Sequence, residues 1–293
     1  TAHYKMMANL DFTDLTGISI AYDPTTGAAT KTVIDANAPY YNTGNGIRMN
    51  SLDGVLDGDG HKIKGWAQYC SGANPLYGLF PYLGYVANGA QVKNLEISGT
   101  ILVLGGNGSY MGSVCGQCNK DAKISNVHSN MMLLFQPTIT SDYAHVGGIV
   151  GIYRAPSGSI TDCTYTGTIA TCKNSGTAVS SSSYLGGICA GITNNPTIIR
   201  CTFEGVVYSP NAGVSVAGIY GGTATTPVID HCYMVGRLEG ATRYPISATG
   251  TVTGSAIAAP FGAGAFLSVP AGGTSGQILS WGASGPEWTT PTP

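Results

Sequence analysis

The phrase "SITDCTYTGTI" at residues 159–169 returns as "TIIRCTFEGVV" at 197–207 and "VIDHCYMVGRL" at 228–238, and it is preceded by "QVKNLEISGTI" from 91 and "KISNVHSNMML" from 123. The copies are separated by 32, 36, 38 and 31 residues. A second phrase interleaves with the first: "YGLFPYLG" from 77, "MGSVCGQC" from 111, "VGGIVGIY" from 146, "LGGICAGI" from 185 and "VAGIYGGT" from 216. Each period therefore holds two short β-prone segments divided by Gly, Asn, Ser and Pro. Such a unit buries its apolar face only when the next copy covers it, which constrains the chain to a stack of coils.

A period of two places the side chains. In "ITDCTYTGTI", strict alternation sends Ile160, Asp162, Thr164 and Thr166 to one face and Thr161, Cys163 and Tyr165 to the other. The column aligned with Cys163 reads Leu95, Val127, Cys163, Cys201, Cys232. All five are apolar and mid-sized, as an interior needs when coils stack about 4.8 Å apart, so they are predicted as a buried core column. Insertions such as "ATCKNSGTAVSSSSY" (170–184) fall between phrases and should project as loops.

Composition agrees with an all-β chain. Charged residues make up 10% and glycine contributes 43 of 293 residues, while amphipathic Ala/Glu/Lys/Leu runs are missing. The net charge of −2, without a Lys/Arg cluster, argues against nucleic acid as a partner. No apolar run approaches the roughly 20 residues of a membrane helix, so membrane insertion is not expected, and "TAHYKMMANLDF" lacks the pattern of a signal peptide.

Taken with "LDGVLDGDGHKIKGW" (52–66) and "HYKMMANLDFTDL" (3–15), the phrases "VGGIVG" and "ITDCTYTGTI" resemble the GLUG-type β-solenoid repeats of bacterial surface proteins and adhesins. The resemblance covers about residues 3–240 and implies a right-handed parallel β-helix (β-solenoid) of about five to six coils, without implying catalysis. The double glycine is partly lost in "MGSVCGQC" and "VAGIYGGT". Residues 241–269 read as a Gly/Thr/Ala-rich linker or cap, the start of a low-complexity C-terminal extension. Residues 270–293 contain "GGTSGQILSWGASGPEW", which resembles a spacer of bacteriophage tail and head fibres, with Gly276, Gln277, Ile278, Leu279 and Trp288 at its marked positions. The fibre resemblance implies a homotrimer.

Candidate sites are few. Asp53, Asp57, Asp59 and His61 follow part of a calcium-loop spacing, but the terminal glutamate is absent and Asp/Gly turn chemistry is the stronger reading. Cys115 and Cys118 form a single CxxC without a second pair at zinc spacing. Cys163, Cys201 and Cys232 read as a buried thiol ladder, with disulfides between coils as the alternative, and Cys172 reads as the most exposed thiol. His3, His61, His128, His145 and His231 share no spacing, and the serine elbow, Walker loop and HExxH motifs are missing. No catalytic, metal or cofactor site is therefore expected.

Tyrosine is plentiful, 17 against 6 Phe. Tyr40, Tyr41, Trp66, Tyr69, Tyr77, Tyr82 and Tyr85 are candidate glycan-binding or chain–chain interface aromatics, because such rings pair an apolar face with a polar tip. They are equally ordinary β-formers covering a charge-poor shaft. The expectation is a non-enzymatic structural and attachment protein, a virion fibre displaying loops to a host-surface glycan or protein receptor and self-associating as a homotrimer or filament. A bacterial cell-surface adhesin or extracellular filament subunit is the alternative. A β-helix polysaccharide lyase or hydrolase is the reading from another class.

Overall fold

The computed structural model describes residues 2–41, 49–71, 76–172, 180–194, 197–211, 213–222, 227–247, 249, 251–257, 278–282 and 285–289. Thr1–Pro260 forms one compact unit and Phe261–Pro293 a second. In the second, Ile278–Gly282 pairs antiparallel with Gly285–Thr289, with Leu279 opposite Trp288. Gly276 and Gln277 of the spacer, and residues 258–269 of the expected linker, lie outside the described residues.

The first unit is a β-solenoid, and its described residues contain no helix. The first repeated phrase forms a long parallel sheet. Its rungs run from His3–Lys5 through Val55–Asp57, Gln91–Leu104, Lys123–Ser129, Ser159–Thr161 and Thr197–Ile199 to Val228–Asp230. The second phrase forms two further parallel sheets. One stacks Leu76–Tyr77, Asn107–Gly112, Tyr143–Gly147, Tyr184–Gly186, Ser215–Ala217 and Thr242–Tyr244. The other stacks Phe80–Leu83, Cys115–Cys118, Val150–Tyr153 and Cys189–Ile192. Parallel pairing continues beyond residue 240: Thr251–Thr253 pairs with Val228–Asp230, and Ala256–Ile257 pairs with Tyr233–Met234. The low-complexity stretch thus carries a last rung of the ladder, because Thr and Val supply strand backbone without repeating the phrase.

Interior columns follow the register. Val92, Ile124, Ile160, Ile198 and Ile229 stack in one column, and Ile101, Leu133, Ile169, Val207 and Leu238 in another, all buried. Leu95, Val127, Cys163, Cys201 and Cys232 are buried as well, with Val127 in register with Leu95. Ile160 and Cys163 share the interior, although strict alternation separates them. The residue before each member of the Cys163 column breaks the alternation: Asn94, Asn126, Asp162, Arg200 and His231 have φ of 53°, 50°, 55°, 50° and 49°. A left-handed residue bends the strand and resets its phase, and Asn and Asp adopt that region most readily among residues with a Cβ. The bent residues line one exposed corner. Asn126 donates to Asn94 at 3.0 Å, Asn94 donates to Asp57 at 2.9 Å, and Arg200 grips Asp162 through two bonds of 2.6 and 2.7 Å.

The two phrases meet across the interior. A Cβ on Gly148, Gly187 or Gly218 would meet both a backbone carbonyl of the next coil, that of Gly187, Gly218 or Pro245, and an interior side chain, the Tyr165 ring, the Phe203 ring or Met234. The Tyr165 and Phe203 rings stack with centroids 6.3 Å apart and planes at 12°. In the preceding coil both sides change together: Ser113 stands in the glycine position, its N–H reaching the Gly148 carbonyl at 3.3 Å, while Ser129 is in register with Tyr165. The lost double glycine of "MGSVCGQC" is therefore matched by a lost ring.

An antiparallel hairpin, Ile18–Asp23 with Ala28–Val33, packs on the outside of the long sheet. Its connection "PTTG" is held by Asp23, whose carboxylate accepts from the Thr25 N–H at 2.8 Å and the Thr26 hydroxyl at 2.7 Å, with Gly27 at φ 73°. Ile20, Tyr22 and Ala29 cover Leu102, Leu134, Ala170 and Cys172. Cys172 is fully buried there, which corrects its assignment as the most exposed thiol. It ends the strand Thr168–Thr171, ahead of the inserted loop, and the hairpin supplies its cover.

The pairing of ring and glycine gives a double-mutant test. Tyr165→Ser is expected to destabilise the chain by about 3–5 kcal/mol and Gly148→Ser by about 1–3 kcal/mol. The double variant, which copies the Ser113/Ser129 coil, should recover at least about 1 kcal/mol of their sum in chemical unfolding. Strict additivity would remove the complementarity argument.

Candidate ligand-binding cleft

The seven aromatics singled out from the sequence divide by environment. Trp66 and Tyr77 are buried at 0% and 1% exposure, so both leave the set of surface rings. Trp66 packs edge-on against Phe12 at 5.3 Å, and Phe12 in turn meets Tyr40 at 5.8 Å. Tyr69 is half-buried under the Lys31 ammonium, 4.1 Å from its ring centroid. Tyr41 is half-buried, and Tyr40 is exposed. Tyr82 and Tyr85 form a pair with centroids 4.5 Å apart and planes at 38°. Tyr85 is 55% exposed and Tyr82 supports it.

Tyr85 lines a cavity of about 520 Å³ together with Asn88, Asn119, Lys120, Asp121, Arg154, Pro156 and Ser157. These residues belong to the turns that follow Phe80–Leu83, Cys115–Cys118 and Val150–Tyr153 in successive coils. Backbone bonds hold the turns one above another: Asn119 N–H to Leu83 carbonyl at 2.9 Å, Arg154 N–H to Cys118 carbonyl at 2.8 Å, and Thr193 N–H to Tyr153 carbonyl at 3.0 Å. The spacing between turns is thus set by the ladder, about 4.8 Å per coil. Beneath them, the buried Tyr153 hydroxyl donates to the Ala122 carbonyl, and burial raises its pKa. Gln117 donates to the Asn119 side chain at 2.7 Å. Asp121 accepts the Gly89 N–H at 2.5 Å, tying the first two turns together.

Arg154 links this cleft to an aromatic column on the neighbouring sheet. Its guanidinium lies 5.5 Å from the Tyr110 ring centroid and 3.4 Å from the Tyr110 hydroxyl. Tyr110, His145 and Tyr184 stack in register, with ring distances of 5.2 and 4.9 Å. His145 Nδ1 is sealed from solvent with no hydrogen-bond partner among the described residues. Burial lowers the His145 pKa to about 4; Arg154 pushes the same way and the Ser182 backbone opposes.

The cysteines occupy the interior. All eight are free and buried. Cys115 and Cys118 bring their sulfurs to 3.2 Å and lie three residues apart on one strand. Burial raises the pKa of Cys118, Cys172, Cys189 and Cys201, with Cys172 at about 12, so these thiols are held protonated and unreactive. Among the described residues no group of three His, Cys, Asp or Glu side chains is placed to hold a metal ion. Asp57 of the calcium-like stretch instead caps a turn through the Asp59 N–H at 3.0 Å and pairs with Lys93 at 3.2 Å. Asp53 accepts the Val86 N–H at 2.7 Å, bracing the turn that carries Tyr85.

Sequence reasoning found Tyr82 and Tyr85 and missed Asn119, Lys120 and Arg154. The missed residues follow the second phrase immediately, at the same place in successive periods, and that equivalence is the signal that finds them.

No protein-family model matches the chain, and no curated relative is found. The GLUG-type and phage-fibre resemblances therefore have no counterpart in these comparisons. Solved structures do match. A crystal structure from Bacteroides ovatus, named as a "putative immunoglobulin A1 protease", is similar over 88% of this chain and 77% of its own, with 19% identity and a TM-score of 0.55. A second, named IgA1 protease, is similar over 87% of this chain and 20% of its own, with 16% identity and a TM-score of 0.49. At 19% identity the likeness to the first structure shows the β-solenoid fold alone. The expectation of a non-enzymatic protein is corrected by the first of these, a neighbour of this fold that is itself named a putative protease.

Two outcomes are expected in solution. A thiol reagent should leave all eight cysteines of the native protein unmodified and label them after unfolding; rapid labelling of native Cys172 would contradict its burial. Stability should fall by about 2 kcal/mol as pH drops from about 6.5 to 4, because His145 binds a proton more readily in the unfolded chain. The His145→Phe variant should lack that slope in unfolding measured against pH.

Proposed function

We propose that this chain is the attachment module of a surface-displayed or secreted β-solenoid protein, and that it holds a saccharide in the cleft at Tyr85. The observation that carries the reading is the exposed Tyr85 ring, braced by Tyr82, above a cavity of about 520 Å³ otherwise lined mostly by amide, hydroxyl and charged side chains. A pyranose presents an apolar C–H face and a rim of hydroxyls, which an aromatic platform ringed by Asn, Ser and charged groups complements. The turns come from three coils whose spacing the backbone ladder fixes, so the site is largely formed before binding.

The Bacteroides ovatus neighbour favours a bacterial surface or secreted protein over a virion fibre. Self-association into trimers or filaments would multiply a weak saccharide contact into firm attachment. Holding a saccharide is compatible with catalytic activity carried elsewhere in a longer protein.

A glycan screen with the purified chain tests the reading. Binding is expected, and Tyr85→Ala should weaken it about three- to tenfold, while Tyr4→Ala, an exposed tyrosine away from the cleft, should leave it unchanged. A chain that binds no saccharide in the screen would overturn the proposal.

A further inference from the structure

Charge in this molecule is sparse, and six of the eleven described Lys and Arg side chains are paired with a carboxylate. Lys5, Lys62, Lys64, Lys93, Arg200 and Arg237 each lie within 3.2 Å of a carboxylate oxygen. Lys31, Lys120, Lys123, Arg154 and Arg243 have no carboxylate partner among the described residues, and of these Lys120 and Arg154 line one cleft. The cleft wall also carries one carboxylate, Asp121, whose Oδ1 accepts the Gly89 N–H at 2.5 Å, so the two cations outweigh a single negative charge there.

The two cations occupy neighbouring coils by construction. Arg154 donates its N–H to the Cys118 carbonyl, directly above the turn in which Lys120 sits at φ 55°. Arg154 is further oriented by the Tyr110 ring and hydroxyl on one side, and by the Asn194 amide, which donates to the Arg154 carbonyl at 2.5 Å, on the other. With two cations against the one carboxylate of Asp121, this wall carries a net positive charge that favours an anionic group. The planar guanidinium presents two parallel donors that match a carboxylate.

We infer that the saccharide held at this cleft is acidic, a pyranose bearing a carboxylate, with its ring on Tyr85 and its carboxylate between Arg154 and Lys120. This inference rests on the saccharide reading and adds the charge of the ligand. Arg154 is the specificity-determining residue, and Lys120 adds a point charge.

Calorimetric titration of the whole chain separates the two claims, using three oligosaccharides of equal length: a hexuronate, its neutral hexose counterpart and a sulfated hexose. The hexuronate should bind at least about tenfold more tightly than the neutral sugar, with affinity falling as salt rises. Arg154→Gln should abolish that preference while keeping the weak neutral binding, and Arg154→Lys should restore only part of it. Both substitutions fall on an exposed side chain, and an unchanged unfolding midpoint verifies the fold. Equal affinity for the hexuronate and the neutral sugar would overturn the acidic assignment and leave the saccharide reading standing. Preference for the sulfated sugar would overturn the carboxylate, and failure of all three to bind would sink both.

Discussion

In three successive coils a large interior side chain lies against a glycine of the opposite wall, where a Cβ would collide with it. Tyr165 against Gly148, Phe203 against Gly187 and Met234 against Gly218 are three instances of one constraint. Because each glycine sits between a sheet that supplies interior apolar residues and the sheet that follows it, close approach there also fixes where the chain turns. The turns that form the cleft come directly after the second of these sheets. Their spacing is therefore inherited from packing deep in the solenoid, and a change at Gly148 or Tyr165 would reach the Arg154 turn through the short strand Val150–Tyr153.

The repeat made the architecture legible because stacking in parallel register puts like residues over like, and a column such as Val92, Ile124, Ile160, Ile198 and Ile229 can be read by aligning phrases. Period-two reasoning failed within the phrase, at Asp162, because a left-handed residue resets the alternation; Asn94 and Asn126 in the same column were the available signal. Trp66 and Tyr77 were placed on the surface on residue type alone, yet the first lies beneath Phe12 and the second faces the interior of its sheet. The hairpin was missed because "ISIAYD" and "AATKTV" lie in an insertion without a repeat, although the Asp23–Gly27 turn between them has ordinary turn chemistry. Cys172 was misassigned for the same reason: what covers it comes from that hairpin.

The site was half legible, and charge spacing explains which half. In a solenoid, exposed charges neutralise one another one coil away, so partners recur near the repeat length: Asp57 with Lys93, Lys62 with Glu96, Asp162 with Arg200. Exposed pairs of this kind add little stability singly, about 0–1 kcal/mol. Arg154 has no such partner, and it shares its cleft with a second cation, Lys120. One period below Arg154 stands Asn119 and one period above it stands Thr193 beside Asn194, so the sequence offers this guanidinium amides where other coils offer carboxylates. Amides cannot neutralise it and can hydrogen-bond a bound ligand. No acid stands at either position, so the Arg154 guanidinium is met by the Tyr110 ring and hydroxyl, which leave its charge unneutralised and open to an anionic group in the cleft.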